Sequence, residues 1–242
     1  MENKKYVVGN LKMSMKKDDV ASYLKKVNDK IFSNQVIIFP SSIYIPYFLN
    51  QYYKVGIQDV HFESTGPYTG EVSPAQAKSM GVCCTLVGHS ERKRFFNETD
   101  TMVNKKVLES LANGLSVILC IGETIEEKEL LKTDRVLKKQ ITYALRYVKD
   151  LRQVMIAYEP VWAIGTKVVP KNDEIEKTVQ YIKDLIKKEY DYPDIKVLYG
   201  GSVDEKNIHD ICKIGNLDGV LVGNSSADAD KFLHIIEVVL DK

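Results

Sequence analysis

Net charge is almost absent from this chain. Its 34 lysines and arginines nearly balance 33 aspartates and glutamates, leaving +1 with histidine neutral. That excludes the broad basic field a nucleic-acid or anionic-membrane partner needs. Pairs such as Lys4-Lys5 and Lys16-Lys17 read as solvated surface. Apolar runs long enough for a membrane span are missing, and no apolar signal region follows Met-Glu-Asn-Lys-Lys at the N-terminus. Four cysteines, Cys83, Cys84, Cys120 and Cys212, are too few for a secreted disulfide scaffold, and adjacent Cys83-Cys84 lacks zinc-ribbon spacing. A reducing cytoplasm is the expected setting. No Gly-x-Gly-x-x-Gly follows the first strand-like run, where a dinucleotide fold would want it.

What the chain does have is 242 residues that are 44% hydrophobic, enough for one large core. Short β-type runs recur at Tyr6–Gly9, Val36–Phe39, Gly56–Val60, Thr85–Gly88, Ser116–Ile121, Met155–Tyr158, Val197–Tyr199 and Val220–Val222. Sequence of helical period separates most of them, as in the stretch carrying Ile175, Val179, Ile182 and Ile186. Continuous apolar strands alternating with helices predict a parallel sheet buried on both faces. An open doubly wound sheet and a closed (β/α)8 barrel both satisfy that pattern. The absent dinucleotide motif and the lack of any linker favour a single-domain α/β barrel over residues 1–242.

In a parallel barrel, function collects where strands end at their carboxyl side. The first run leads into Asn10 and Lys12, the fourth into His89 and Glu91, the sixth into Glu159. The seventh leads into Gly200-Gly201-Ser202 and the eighth into Gly223-Asn224. Singly, each has a plain explanation: a turn asparagine, a solvated lysine, a satisfied strand-end histidine, tight strand-to-helix glycines. Together they put an amide, an ammonium, an imidazole and a carboxylate on one face, beside small-residue turns whose backbone N–H groups suit phosphate. Glu159 precedes Pro160 and a mostly apolar segment with the sole tryptophan, Trp162, the plan of a general base beneath a water-excluding flap. His61, His209 and His234 lack comparable neighbours in sequence and receive no role.

Seven segments in order resemble the triosephosphate isomerase family: Gly-Asn-x-Lys-Met at 9–13, Thr-Gly-Glu-Val-Ser at 69–73, Val-Gly-His-Ser-Glu-Arg at 87–92, Cys-Ile-Gly-Glu at 120–123, Ala-Tyr-Glu-Pro-Val-Trp-Ala-Ile-Gly-Thr at 157–166, Tyr-Gly-Gly-Ser-Val at 199–203 and Leu-Val-Gly at 221–223. The resemblance implies interconversion of dihydroxyacetone phosphate and glyceraldehyde 3-phosphate through an enediolate, with no metal or organic cofactor. It implies Glu159 as base, His89 as neutral donor to the oxyanion, Lys12 and Asn10 as polar partners of the substrate, and Glu91 as the acid behind the histidine. Gly165, Ser202, Gly223 and Asn224 would hold the phosphate through backbone amides. It further implies a homodimer in which the 65–73 loop, too polar to order alone, docks near the partner's first-strand loop. Against the family pattern, Leu11 stands for tryptophan and Ser14 for asparagine near that contact, which predicts a weaker dimer. Lys167 and Asn224 stand for glycines of the lid and last phosphate turn, and Lys183 with Asn216 for an arginine–aspartate pair, which predicts a weakened pair. Two rival functions remain at this stage, a barrel isomerase of larger sugar phosphates and a barrel retained as a binding or adhesion protein.

Overall fold

In the computed structural model, which describes residues 5–166, 168 and 170–240, eight parallel strands close on themselves in chain order, from β1 pairing with β2 round to β8 pairing with β1. The strands are β1 (Tyr6–Asn10), β2 (Val36–Phe39), β3 (Lys54–Ile57), β4 (Cys84–Val87), β5 (Ser116–Ile121), β6 (Val154–Tyr158), β7 (Lys196–Tyr199) and β8 (Gly219–Val222). The helices outside them are α1 (Lys17–Val27), α2 (Ile45–Phe48), α3 (Pro74–Ser79), α4 (Ser90–Phe96), α5 (Asp100–Ala112), α6 (Ile125–Glu129), α7 (Thr133–Ala144), α8 (Asn172–Tyr190), α9 (Ile208–Ile211) and α10 (Ala229–Leu240). Among the described residues, no helix is long and apolar enough to cross a membrane.

The continuous apolar strands have a direct structural cause. Val8, Ile37, Phe39, Leu86, Ile118, Cys120, Ala157, Leu198 and Leu221 fill the barrel interior, while alternate neighbours such as Val7, Val36, Ile38, Val117 and Leu119 pack outward against the helices. Gly56 belongs to this packing: a Cβ there would lie 2.2 Å from the Phe39 ring, so the interior has room for Phe39 only because residue 56 has no side chain. In α8, Ile175, Val179, Ile182 and Ile186 are fully buried, as their spacing predicts.

Strand boundaries depart from expectation most at β3, which begins and ends earlier than Gly56–Val60. Val60 is buried but off the ladder, and Gln58 directs its amide to the carbonyls of Lys12 and Phe39 instead. Apolarity marked burial there, not pairing. β4 likewise stops before Gly88, whose φ of 77° takes the chain out of the strand.

The 65–73 loop is better held by its own chain than its composition predicts. His61 N–H donates to the Val72 carbonyl at 2.8 Å, Glu71 N–H to that of Tyr68 at 3.1 Å, and Ser64 hydrogen-bonds Glu109. The His61 ring lies 4.2 Å from both Phe62 and Tyr68. Ser73 then caps α3 in a reciprocal pair with Gln76.

Candidate active site

The carboxyl ends of the strands surround a cleft of about 380 Å³ lined by Asn10, Lys12, His89, Glu159, the 200–207 segment and Gly223 to Ser225, with Ile164 and Gly165 above. Eight of the nine residues singled out from sequence line it. The ninth, Glu91, does not line it but pairs with Lys12, whose Nζ is 2.5 Å from its Oε1.

Asn10 is the last residue of β1 and shares the inward side with Val8. Its Oδ1 accepts from Lys12 N–H at 3.0 Å. Lys12 has φ of 49°, a left-handed conformation that a long side chain seldom adopts. Two bonds to its carbonyl, from Ser41 Oγ and Gln58 Nε2, both at 2.8 Å, hold that conformation. Neither residue was found from sequence, because their signal lies in contacts 29 and 46 positions away.

His89 caps the start of α4, where its Nδ1 accepts from Glu91 N–H at 3.2 Å. An Nδ1 that accepts carries no proton, so the neutral ring bears its proton on Nε2. That nitrogen faces Glu159 Oε1 at 3.7 Å, leaving a donor and a carboxylate converging from two strand ends.

Glu159 follows β6 directly, its N–H bonded to the Ile121 carbonyl at 2.7 Å. Its side chain is 3% exposed and Oε2 is buried without a hydrogen-bond partner, a carboxylate stripped of most solvation. Glycine makes this placement possible. A Cβ at Gly122 would sit 1.8 Å from the Glu159 carbonyl oxygen, and one at Gly200 would sit 2.8 Å from its Cγ. Beneath lies Cys120, whose thiol is pushed well up by burial and then by the neighbouring Glu159 carboxylate, so it stays protonated.

The segment after Glu159 is tied to the barrel at its first turn. Pro160 leads into a 3-10 turn, Val161–Ala163. Trp162 Nε1–H donates to Glu123 Oε1 at 2.9 Å, Tyr158 hydroxyl reaches the same oxygen at 3.2 Å, and Lys128 Nζ stands 3.7 Å from the Trp162 ring centroid. Glu123 is 1% exposed. Burial raises its carboxyl above the usual range, partly offset by the Trp162 N–H. Its motif was visible in the sequence, but its role was not: following β5 at the same strand-end level as the other site residues was the available signal. Ser202 Oγ–H donates to the Ala163 carbonyl at 2.6 Å, joining this turn to the seventh-strand loop. At Gly165, φ is 69° and nothing from elsewhere lies within 4 Å of a Cβ position. Lys167 falls outside the described residues.

The turn after β8 carries Asn224. Asn224 is exposed and opens a right-handed 3-10 turn, Asn224–Ala227. It is not among the positive-φ residues, so no left-handed backbone has to be tolerated there. Ser226 Oγ–H bonds the Gly223 carbonyl at 2.7 Å and the Asn10 carbonyl at 3.1 Å, fastening this turn to β1. Asp204, Lys206 and Asn207 also line the cleft and were missed. Asn207 braces the turn through its Nδ2, which donates to the Ser202 carbonyl at 2.9 Å.

Two expectations from the departures are corrected. Leu11 is 3% exposed and belongs to its own chain's core, so it offers no subunit surface; in the same loop it is Met13 that is 94% exposed. Lys183 has not lost its partner: its Nζ is 2.7 Å from Asp218 Oδ2 and 2.7 Å from the Asn216 carbonyl. A buried acid two residues on replaces the one that Asn216 lacks.

A family model described as triosephosphate isomerase matches residues 5–239. The chain is 38% identical to the triosephosphate isomerase of Thermodesulfovibrio yellowstonii, across 97% of this chain and 99% of the relative. It is likewise 38% identical to that of Malacoplasma penetrans, across 97% and 98%. With that of Alkaliphilus metalliredigens it shares 42% identity over 76% of each. The barrel, the cleft at its carboxyl end and a match that runs nearly from end to end have one meaning: the chain belongs to the triosephosphate isomerase family.

Proposed function

We propose that residues 1–242 form one catalytic unit in which Glu159 and His89 carry the isomerisation of dihydroxyacetone phosphate and D-glyceraldehyde 3-phosphate that defines this family. The observation that carries this assignment is the 3.7 Å approach of His89 Nε2 and Glu159 Oε1 across the cleft. A substrate with adjacent carbonyl and hydroxymethyl carbons meets both groups at once. Glu159 takes the proton from one carbon while His89 Nε2–H donates to the oxygen that becomes negative. The protonated Glu159 returns its proton to the neighbouring carbon, while His89 gives its Nε2 proton to the oxygen made negative and takes back the hydroxyl proton of the adjacent oxygen, so atoms and charge balance. Lys12 supplies positive charge beside the developing oxyanion, held in place by Glu91 as a positioning residue, and Asn10 fixes the Lys12 backbone. Backbone N–H groups of Gly165, Ser202, Gly223 and Asn224 supply the phosphate grip. A flap that excludes water also protects the enediolate from losing phosphate.

The test is steady-state turnover of glyceraldehyde 3-phosphate in a coupled assay. Glu159→Gln should lower kcat by ~10²–10⁴-fold or more with the fold intact, and His89→Gln should fall steeply through loss of a donor of the kind that contributes ~2.7–4 kcal/mol. A Glu159→Gln enzyme with near-normal turnover would remove this carboxylate from the mechanism.

The same reading includes a homodimer formed through the 65–73 loop. Its support is a cavity of about 450 Å³ bordered by His61, Thr65, Tyr68, Glu71 and Gln76, together with Met13 projecting from the first-strand loop. An unbranched thioether suits such a cavity. Met13→Asp should convert dimer to monomer in sedimentation at micromolar concentration; native protein that sediments as monomer there would end the idea. The thiols of Cys83, Cys84 and Cys120, free of disulfides, fit a reducing cytoplasm.

A further inference from the structure

At the opposite end of the barrel, Cys83 and Cys84 enter β4 side by side, and their sulfurs lie 3.4 Å apart. Cys84 is buried within the barrel interior, while Cys83 is half-buried and, with Tyr6 and Met155, packs against the lower edge of that interior. The isomerisation uses neither thiol: β4 separates them from His89 by four residues, ~13 Å of extended chain.

Adjacent cysteines are poorly suited to bonding each other. Their Cα atoms are ~3.8 Å apart across a trans peptide, whereas disulfides usually span Cα separations of ~4.4–6.8 Å. They are well suited to sharing a third atom. A soft centre bonded to each sulfur at ~2.3 Å, with the sulfurs 3.4 Å apart, subtends an angle of about 95°. That is the near-right-angled geometry of a pyramidal trivalent centre. The two thiols are also chemically distinct. The Cys83 thiol is drawn down by its hydrogen bond with Cys84 and by the charges of Lys54 and Lys78, while Cys84 is pushed up by that same bond and by burial. The more exposed sulfur is thus the better nucleophile, and the buried one completes the bridge.

We propose that Cys83 and Cys84 form a two-sulfur site for a thiophilic trivalent centre of the arsenic(III) class. With an organoarsenic oxide, both thiols form As–S bonds, the As=O bond breaks, and the two thiol protons leave with the oxygen as water. Arsenic stays trivalent, so no oxidant or reductant enters.

Phenylarsine oxide is the probe, with native mass spectrometry as readout on the reduced, full-length protein. One equivalent per chain should bind, survive excess monothiol and leave on addition of 2,3-dimercaptopropanol. Cys83→Ser and Cys84→Ala, each checked for folding by its thermal transition, should each weaken retention by ~10²-fold or more, the usual gain from a second point of attachment. Cys120→Ala and Cys212→Ser should retain it fully. Should Cys84→Ala fail to fold, Cys83→Ser and Cys83→Ala decide the matter alone. Release by monothiol, retention by the Cys83 variants, or loss in Cys120→Ala would each overturn the proposal.

Discussion

The two sides of the cleft are built in different ways. On the proposed proton-transfer side, Glu159, His89 and Glu123 are buried side chains at strand ends, and Glu159 is fitted closely against Gly122 and Gly200. On the proposed anion side, glycines and small residues predominate beside Asp204, Lys206 and Asn207, and Asn224 is exposed. Moving a proton between carbon and carboxylate needs a desolvated group placed to a fraction of an ångström. Holding phosphate needs N–H groups, which every non-proline residue carries. The first side therefore tolerates almost no change of volume, and the second tolerates replacement of side chains so long as the turn survives.

Gly122→Ala should break the first side most severely. Its Cβ would meet the Glu159 carbonyl oxygen at 1.8 Å, with that residue's carbonyl carbon and the Pro160 nitrogen close behind. Overpacking costs ~1–3 kcal/mol, occasionally more, and here the atoms forced to move belong to Glu159, the proposed base. We expect kcat to fall by ~100-fold or more, with a lower thermal transition. A variant with native kcat would show that Glu159 has freedom the packing denies.

Glu123 tests whether the flap's anchor is electrostatic or only geometric. Glu123→Ala leaves the Trp162 N–H and Tyr158 hydroxyl without their shared acceptor, a cost of ~1–3 kcal/mol. The emission of the sole tryptophan should shift, with a fall in kcat. Glu123→Gln keeps an acceptor and removes the buried charge. Because burial raises the folded pKa of Glu123 above its ordinary 4.5, the folded state holds this proton more tightly than the unfolded state does. Its contribution to stability is therefore fully present below pH 4.5 and is lost as pH rises through the higher folded value. In denaturant titrations, the stability difference should move in favour of Glu123→Gln across that interval and then level off. A difference independent of pH would mean the carboxyl is solvated.

Asn224→Gly should do least. Residue 224 has no positive φ to relieve and its side chain is exposed. KM should change by less than ~tenfold, 1.4 kcal/mol, with kcat unchanged. A large loss of kcat would mean that the anion side is as intolerant as the other.

This contrast also explains what the sequence made legible. Strand ends could be found by apolar runs, and the residues following them converge in space because a parallel barrel puts every such end on one face. Features held by single residues reaching across the chain left no such trace. Gln58 reads as a strand residue, yet its amide holds Lys12 in a left-handed conformation. Leu11 occupies a family tryptophan position and was expected at a subunit contact, but its own core absorbs it. Lys183 found Asp218 where Asn216 could no longer serve, a substitution visible only once the turn before β8 is in place. Periodicity encodes which face of an element is buried; it does not encode which distant carbonyl a side chain will reach.

The seam between β1 and β8 sets when a newly made chain can begin to work. Asn10 and Lys12 emerge from the ribosome early, but the Asn10 carbonyl waits for Ser226, and the Lys12 side chain lies beside Gly223, where a Cβ would be 3.5 Å from its Cε. A nascent polypeptide that has already delivered His89 and Glu159 still lacks the strand that closes the cylinder. The complete cleft is therefore withheld until synthesis has passed Ser226, and fragments released earlier carry His89 and Glu159 without the enclosure in which they meet.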